Sequence, residues 1–283
     1  MLRIHDTSSL REAVAAARGH GQSIGLVPTM GNLHDGHLSL LQQAKSRCEF
    51  VITSIFVNPM QFGANEDLAA YPRTPEQDVD LLTRHGCDCL FMPTVDEMYP
   101  AGTHRHTVVS VPELGSNHCG KSRPGHFEGV ATVVSKLFNM AQPDAAFFGL
   151  KDYQQFLVIS RMARDLCFPV SVIGIETRRE PSGLAMSSRN NYLTPAQREQ
   201  AAALYRCLKT TAQSIGQGVR DYDQLEHRAE ETLRAEGMRP DYFSVCNAAT
   251  LGAAGPEDSD LVILAAAYIG STRLIDNIRL QAG

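Results

Sequence analysis

Short apolar runs alternate with amphipathic stretches over the first two-thirds of the chain. The apolar runs predict buried strands at residues 23–27, 50–57, 87–92, 108–111, 145–148 and 170–175. Between them, apolar residues recur at helical spacing and predict helices at residues 37–47, 75–85, 129–141 and 152–166. Strands that alternate with helices of this length predict β-α-β units, and therefore an α/β fold with a mostly parallel sheet.

The pattern changes near residue 177. Residues 178–188 are polar and contain Pro181 and Gly183, which predicts a linker or an active-site loop. Two predicted helices and then three predicted strands follow without alternation, at residues 195–215, 222–236, 241–246, 261–268 and 272–280. Such an order is typical of a small separate α+β domain. We therefore expect one domain at residues 1–176 and a second at residues 177–283.

Composition excludes some classes of protein. With 283 residues, 43% hydrophobic and 20% charged, the chain has the make-up of a soluble globular protein. Its formal net charge of -5 gives no general basic field for nucleic acid or an anionic membrane. Seven irregularly spaced cysteines predict reduced structural thiols in a cytoplasmic protein. The first residues lack the apolar core of a signal peptide, and no apolar run approaches the ~18 residues of a membrane span.

The turn after the first predicted strand carries the clearest chemistry, the sequence Pro-Thr-Met-Gly-Asn-Leu-His-Asp-Gly-His at residues 28–37. In an open parallel sheet, ligands bind beyond the carboxyl ends of the strands. We expect the following helix to offer free backbone N–H groups to phosphate. His34 and His37 are three residues apart and would project on one side, where two imidazoles can stabilise charge on an α-phosphate. Gly36 leaves room for a nucleotide, although two surface histidines beside a turn would show the same pattern.

Two further segments carry groups that suit phosphate. In residues 179–189, the hydroxyls of Ser187 and Ser188 and the guanidinium of Arg189 can wrap a triphosphate. In residues 148–155, Lys151 can reach a phosphate. A solvated loop and a surface helix start are the alternative interpretations of these segments.

Three other polar residues follow predicted strands. Asp152 at a helix start complements the helix dipole. Gln155, one turn after Lys151, can donate to a carboxylate or a hydroxyl. Gln61 follows the strand at 50–57, so we expect it near the same carboxyl edge as the two histidines.

These segments together resemble the pantoate–β-alanine ligase family. The His-x-Gly-His pattern is shared by a whole nucleotidylyltransferase superfamily. More specific are the sequences Phe-Val-Asn-Pro-Met-Gln-Phe at residues 56–62, Lys-Asp-Tyr-Gln-Gln at 151–155 and Met-Ser-Ser-Arg at 186–189. The likeness covers most of residues 20–200 and continues more weakly to the C-terminus.

The resemblance implies a Rossmann-like domain that binds ATP and pantoate, a small C-terminal lid domain and a homodimer. It implies that ATP and pantoate form pantoyl adenylate and pyrophosphate, with Mg²⁺ accompanying the ATP. β-Alanine then attacks and gives pantothenate and AMP. The partners expected are therefore small molecules, without nucleic acid or membrane, and no metal site held by the protein alone is expected.

The resemblance also implies roles for individual residues. His37 would be the proton donor, and we predict His34, Lys151 and Arg189 as the other catalytic residues. Gln61 and Gln155 would hold pantoate, with Gln61 near β-alanine as well. The residues predicted to bind ATP are Met30, Gly31, Asn32, Leu33, His34, Asp35, Gly36, His37, Gly149, Leu150, Lys151, Asp152, Arg178, Met186, Ser187, Ser188 and Arg189. Four of these depart from the usual family residues: Asn32, Asp35, Leu150 and Arg178.

Three other functions use similar features. A nucleotidylyltransferase that acts on a phosphate ester would have the same histidine turn, but basic residues in place of Gln61 and Gln155. A fragment of an aminoacyl-tRNA synthetase is disfavoured by the net negative charge. A regulatory module that only binds nucleotide would not catalyse pantoate-dependent exchange of pyrophosphate into ATP.

Overall fold

The computed structural model describes residues 1–63, 66 and 68–282, and the chain divides into two compact units. Unit 1 consists of Met1–Leu150 and Gln154–Glu176. Unit 2 consists of Lys151–Tyr153 and Thr177–Gly283.

Unit 1 contains a parallel sheet. Its six strands are β1 (Leu2–Ile4), β2 (Ile24–Thr29), β3 (Phe50–Ile55), β4 (Cys89–Phe91), β5 (Ala145–Gly149) and β6 (Ser171–Ile175). They lie in the order β1-β4-β3-β2-β5-β6, and every neighbouring pair is parallel. The predicted α/β class is therefore confirmed for this unit.

Helices cover the sheet of unit 1. They are α1 (Thr7–Gly19), α2 (Asp35–Lys45), α3 (Pro75–Arg84), α4 (Val95–Met98), α5 (Pro112–Ser116), α6 (Cys119–Ser122), α7 (His126–Ala141) and α8 (Tyr153–Asp165). Short 3-10 helices lie at Pro59–Gln61 and Leu150–Asp152. Helices α2 and α3 share one apolar core with the sheet, formed around Leu41, Leu82 and Phe147. Helices α1 and α7 contact each other and β2.

The strand order places a topological switch point beside β2. From β2 the chain continues to β3 on one side, and it later adds β5 on the other side. In open parallel sheets, ligands bind at the carboxyl ends of the strands on either side of such a point. The carboxyl ends of β2 and β5 therefore lie at the same edge of the sheet, where a ligand is expected.

One prediction about unit 1 is wrong, and some of its elements were not predicted. Residues 108–111 are not a strand, because the backbone N–H of Val109 donates to the hydroxyl of Thr132 on α7 (2.9 Å) instead of pairing with a strand. The side chain of Val108 is also half exposed, so the apolar run is not buried. Strand β1 and helix α1 were not predicted, although β1 pairs with β4 at the edge of the sheet.

Unit 2 is an α+β domain. Its helices are α9 (Pro195–Ala201), α10 (Ala203–Gly216) and α11 (Tyr222–Ala235), and its antiparallel strands are β7 (Arg239–Asn247), β8 (Asp260–Ile269) and β9 (Thr272–Gln281). Helices α10 and α11 pack on this sheet around Leu208, Leu233 and Ile263. The single helix predicted at residues 195–215 is interrupted at Ala202, which ends α9 and begins α10.

All seven cysteines are free thiols, and all except Cys167 are buried. Burial raises the pKa of Cys89 and of Cys246 to about 12, so these two stay protonated at neutral pH. Among the helices in the described part of the chain, none is long and apolar enough to span a membrane.

Candidate active site

The turn between β2 and α2 has an unusual backbone. Gly31 and Asn32 both lie in the left-handed region, with φ of 81° and 51°. Behind them, Asp78 of α3 is 1% exposed, and its carboxylate accepts the backbone N–H groups of Asn32 (2.9 Å) and Leu33 (2.8 Å). A Cβ on Gly31 would lie 3.0 Å from Asp78 Oδ2, so the turn needs glycine for close approach as well as for its positive φ.

The two histidines of the motif lie side by side at the start of α2. Their ring centroids are 4.1 Å apart, which confirms that they project on one side. His34 is the N-cap residue, and its Nδ1 accepts the backbone N–H of Gly36 (3.1 Å). His37 Nδ1 accepts the backbone N–H of His34 (3.3 Å). Because a nitrogen that accepts a hydrogen bond carries no hydrogen, each neutral ring carries its hydrogen on Nε2.

The expectation of free backbone N–H groups at this turn is wrong for four residues. The N–H groups of Asn32 and Leu33 are taken by Asp78, and those of His34 and Gly36 are taken by the two imidazoles. The helix is therefore capped by its own side chains. Because this capping uses the Nδ1 atoms of both rings, a ring donor to a ligand would be an Nε2–H group.

Gln61 is held by a buried network at the end of β3. The Nδ2 of Asn58 donates to Gln61 Oε1 (3.1 Å) and to the carbonyl of Gly129 in α7 (3.0 Å), and Asn58 Oδ1 accepts from the hydroxyl of Tyr99 (2.9 Å). Asn58 is completely buried and Gln61 is 8% exposed. Since Oε1 accepts from Asn58, the amide orientation of Gln61 is fixed, and its Nε2 can donate to a ligand.

A second set of contacts holds the backbone of Gln61. Its carbonyl accepts from His126 Nδ1 (2.8 Å) and from Arg123 Nη2 (3.1 Å). The Arg123 guanidinium also donates to both carboxylate oxygens of Glu66, at 2.7 and 2.5 Å. A bidentate pair of this kind fixes the plane of the guanidinium, and therefore the direction from which it holds Gln61.

The two adjacent glutamines of α8 have different environments. Gln154 is buried, and its amide donates to the carbonyls of Leu114 and Asn117 and accepts from the backbone N–H of Cys119. Gln155 is half buried, and among the described residues no hydrogen bond to its side chain is found. Gln154 therefore anchors the segment around α5 and α6, whereas the amide of Gln155 is available to a ligand.

Three of the predicted residues of unit 2 line one small cavity. Lys151, Ser187 and Arg189 surround a space of about 20 Å³, together with Arg273 and Asp276 of β9. Ser187 caps the 3-10 helix Ser188–Tyr192 by accepting the backbone N–H of Arg189 (3.3 Å). The structure thus brings two predicted cations and a hydroxyl together.

A buried ion pair supports this cavity. Arg179 donates to both carboxylate oxygens of Asp276, at 2.6 and 2.9 Å, and also to the carbonyl of Gly183 (3.1 Å). Its guanidinium stacks on the ring of Tyr205 at 3.7 Å. Burial raises the pKa of Asp276, and hydrogen bonds from Arg179 oppose that shift. An isolated antiparallel bridge between Arg179 and Ala185 closes a turn within the segment predicted as a linker or active-site loop.

The remaining predicted positions have simpler environments. Arg178 is exposed, and its carbonyl accepts the backbone N–H of Met186 (2.9 Å). Gly149 ends β5 and Leu150 begins the 3-10 helix that carries Lys151 and Asp152. In the parts of the chain that the structure describes, no group of three or more His, Cys, Asp or Glu side chains is arranged to hold a metal ion.

Sequence reasoning missed several residues of this site. In the sequence, Asp78 is an acidic residue in the first turn of a helix, where such residues are common. Its position therefore does not indicate that the side chain is buried. Tyr99, Arg179 and Asp276 gave no signal, because their partners are distant in sequence. Asn58 lies in the motif at residues 56–62, but no role was predicted for it.

Comparison with known proteins gives a consistent result. A family model described as pantoate-beta-alanine ligase matches residues 3–279. A protein from Pseudomonas putida named pantothenate synthetase is 57% identical over 281 residues, which covers 99% of this chain and 98% of that protein. The crystal structure of pantothenate synthetase from Thermus thermophilus superposes with a TM-score of 0.92 and 45% identity, covering 98% of this chain and 99% of that one.

A further solved structure contains ligands. It is a pantoate-beta-alanine ligase from Francisella tularensis, complexed with beta-gamma ATP and beta-alanine. It is 34% identical to this chain, with a TM-score of 0.82, and covers 98% of this chain and 97% of that one.

Proposed function

This chain belongs to the pantoate–β-alanine ligase family, and we infer that it condenses pantoate with β-alanine in an ATP-dependent reaction. In the first step, a carboxylate oxygen of pantoate attacks the α-phosphorus of ATP, and pyrophosphate leaves. In the second step, the amine of β-alanine attacks the acyl carbon, and AMP leaves with the transferred oxygen. The products are pantothenate, AMP and pyrophosphate.

The paired imidazoles at the start of α2 support this function most directly. Adenylation brings the carboxylate of pantoate to a triphosphate, so the site needs donors aimed at the charge that builds on the phosphoryl oxygens. The Nδ1 atoms of His34 and His37 accept from backbone N–H groups, which makes Nε2–H the donor of each ring. We assign His37 as the proton donor and His34 as the second donor to the α-phosphate.

Pantoate binding is assigned to Gln61 and Gln155. The amide of Gln61 is oriented by Asn58, so its Nε2 can donate to the carboxylate or hydroxyls of pantoate. Gln155 has an amide available to a ligand on the same unit. A site built from amides discriminates strongly against an acid without hydroxyls, because the amides would lose their partners. Gln61 is also assigned to β-alanine.

ATP binding is assigned to two sets of residues. In unit 1 they are Met30, Gly31, Asn32, Leu33, His34, Asp35, Gly36, His37, Gly149 and Leu150. In unit 2 they are Lys151, Asp152, Arg178, Met186, Ser187, Ser188 and Arg189. The cavity shared by Lys151, Ser187 and Arg189 supports the assignment of these three to the phosphates, with the two cations as catalytic residues.

Several features of the working enzyme are also proposed. Mg²⁺ enters as the complex of ATP, because phosphate oxygens and water supply most of its ligands in such sites. Residues 1–176 form the domain that binds ATP and pantoate, and residues 177–283 form the lid domain. The enzyme is a homodimer of the cytoplasm. The free thiols of all seven cysteines support a reducing compartment.

One assay tests the function as a whole. AMP, pyrophosphate and pantothenate are measured with ATP, Mg²⁺, pantoate and β-alanine. The measurement is then repeated without pantoate and again without β-alanine. Stoichiometric AMP and pantothenate are expected only in the complete mixture. AMP release onto a phosphate-ester acceptor, without any dependence on pantoate, would instead identify a nucleotidylyltransferase.

A further inference from the structure

Asp78 is a buried carboxylate without a role in the proposed chemistry. It lies in α3 and is 1% exposed. Oδ2 accepts the backbone N–H of Asn32 (2.9 Å), and Oδ1 accepts the backbone N–H of Leu33 (2.8 Å) and the hydroxyl of Thr74 (3.2 Å). All three donors point at one carboxylate, and two of them belong to the turn that carries the histidine motif.

The geometry of that turn is one that binds anions. Successive backbone N–H groups in a turn can point toward a common place, and such concave groups hold phosphates in many proteins. Here Gly31 and Asn32 have positive φ, and Asp78 occupies the point on which the N–H groups converge. The carboxylate therefore takes the place that a phosphate would have in a backbone nest.

The hydrogen bonds that Asp78 accepts also affect the position of the two imidazoles, through the backbone that joins them. Leu33, which donates to Asp78, precedes His34, and His34 is the N-cap residue whose Nδ1 accepts from Gly36. The backbone N–H of His34 in turn holds His37 Nδ1. The position of residues 32–33 therefore determines where the N-cap lies, and with it the direction of both Nε2–H groups.

We propose that Asp78 is a positioning residue for adenylyl transfer, which fixes the orientation and tautomer of His34 and His37 by holding the backbone before them. This inference rests on the proposed function. The carboxylate contacts neither substrate nor metal in this role. A displacement of about 1 Å at a catalytic group can cost on the order of 10²-fold in rate, so a loss of this support is expected to affect turnover.

The test is the variant Asp78→Asn, which keeps the shape but replaces one acceptor oxygen by an NH₂ group that faces a backbone N–H. Asp80→Asn is the matched control, because Asp80 lies on the same helix, is exposed and pairs with Arg84 one turn along that helix. Pantoate-dependent exchange of pyrophosphate into ATP is measured per folded active site, together with thermal unfolding and the ¹⁵N NMR signals of the histidine rings.

We expect kcat of Asp78→Asn to fall about 10- to 10²-fold. Its KM for pantoate and its Mg²⁺ requirement should stay near those of the wild type. The ring signals of His34 and His37 should change from the Nε2–H form to a mixture of tautomers, and Asp80→Asn should behave like the wild type. A kcat within about twofold of the wild type would overturn the inference. Unchanged ring signals in an inactive variant, or a raised Mg²⁺ requirement, would also overturn it.

A second variant and the wild-type assay keep the test decisive. If Asp78→Asn does not fold, Thr74→Val removes one hydrogen bond and keeps the carboxylate. We expect its kcat to fall by about 2- to 10-fold, and a wild-type kcat with wild-type ring signals would overturn the inference. Failure of the proposed function is distinguishable, because wild-type enzyme would then show no pantoate-dependent exchange at all.

Discussion

Replacement of Gly129 by alanine tests how the pantoate site is built. Gly129 lies in α7, where alanine would ordinarily stabilise the helix by about 1 kcal/mol. At this position, however, a Cβ would lie 2.3 Å from the carbonyl oxygen of Met60 and 2.9 Å from the backbone N of Gln61. The 60–61 peptide would have to retreat by about 1 Å to reach normal van der Waals contact.

The retreat affects stability and activity in different ways. Overpacking costs about 1–3 kcal/mol, so the gain in helix propensity is cancelled or exceeded. Because Gln61 moves with its peptide, kcat/KM for pantoate should fall on the order of 10²-fold, whereas KM for ATP should change little. The assay is pantoate-dependent AMP formation at varied pantoate and at varied ATP, with thermal unfolding of the same samples.

Gly19→Ala is the matched control. Gly19 ends helix α1 in the same unit, and a Cβ there would meet no atom within 4 Å. This variant should keep wild-type kinetics and gain up to about 1 kcal/mol in stability. Suppose that Gly129→Ala had the same kcat/KM for pantoate as Gly19→Ala. Gln61 would then not be a pantoate ligand that the contact between Gly129 and the 60–61 peptide positions.

Three further outcomes are expected. His37→Ala should fold normally, but its adenylation rate, measured by pyrophosphate exchange, should fall about 10²–10⁴-fold. Exchange near the wild-type rate would show that His37 is not the proton donor. Arg189→Lys should impair adenylation, because lysine lacks the planar guanidinium that can donate two parallel hydrogen bonds to a phosphate. ATP with Mg²⁺ should also protect residues 178–190 from hydrogen exchange. A fully active variant together with no protection would show that this segment only connects the two units. A thiol reagent should modify Cys167 quickly and the six buried cysteines only on unfolding, and a second fast thiol in native protein would contradict the described burial.

The local part of the site was predictable from sequence because its signals are local. His34 and His37 are three residues apart, directly after an apolar strand, and their rings lie side by side at the helix start. Helix and strand periodicity likewise predicted the α/β class and a small C-terminal α+β unit, but not that its strands are antiparallel. The short run at 108–111 was misjudged, because periodicity cannot distinguish an apolar loop segment from a short strand.

The supporting network could not be predicted in the same way. Asp78 reaches the backbone of Asn32 across 46 positions of the sequence, and Tyr99 reaches Asn58 across 41. Contacts at such separations depend on the strand order, which no local pattern specifies. The capping of α2 by its own histidines had a local cause, but it requires His34 to leave the helix as its N-cap residue, whereas regular helical spacing was assumed.

Transfer of oxygen-18 from the carboxylate of pantoate is the most direct measurement of the adenylation step. Pantoate labelled in both carboxylate oxygens is converted with ATP, Mg²⁺ and β-alanine, and the products are analysed by mass spectrometry. Attack on the α-phosphorus predicts one labelled oxygen in AMP, one in the amide carbonyl of pantothenate and none in pyrophosphate. Label in pyrophosphate, or AMP without label, would contradict a pantoyl-adenylate intermediate.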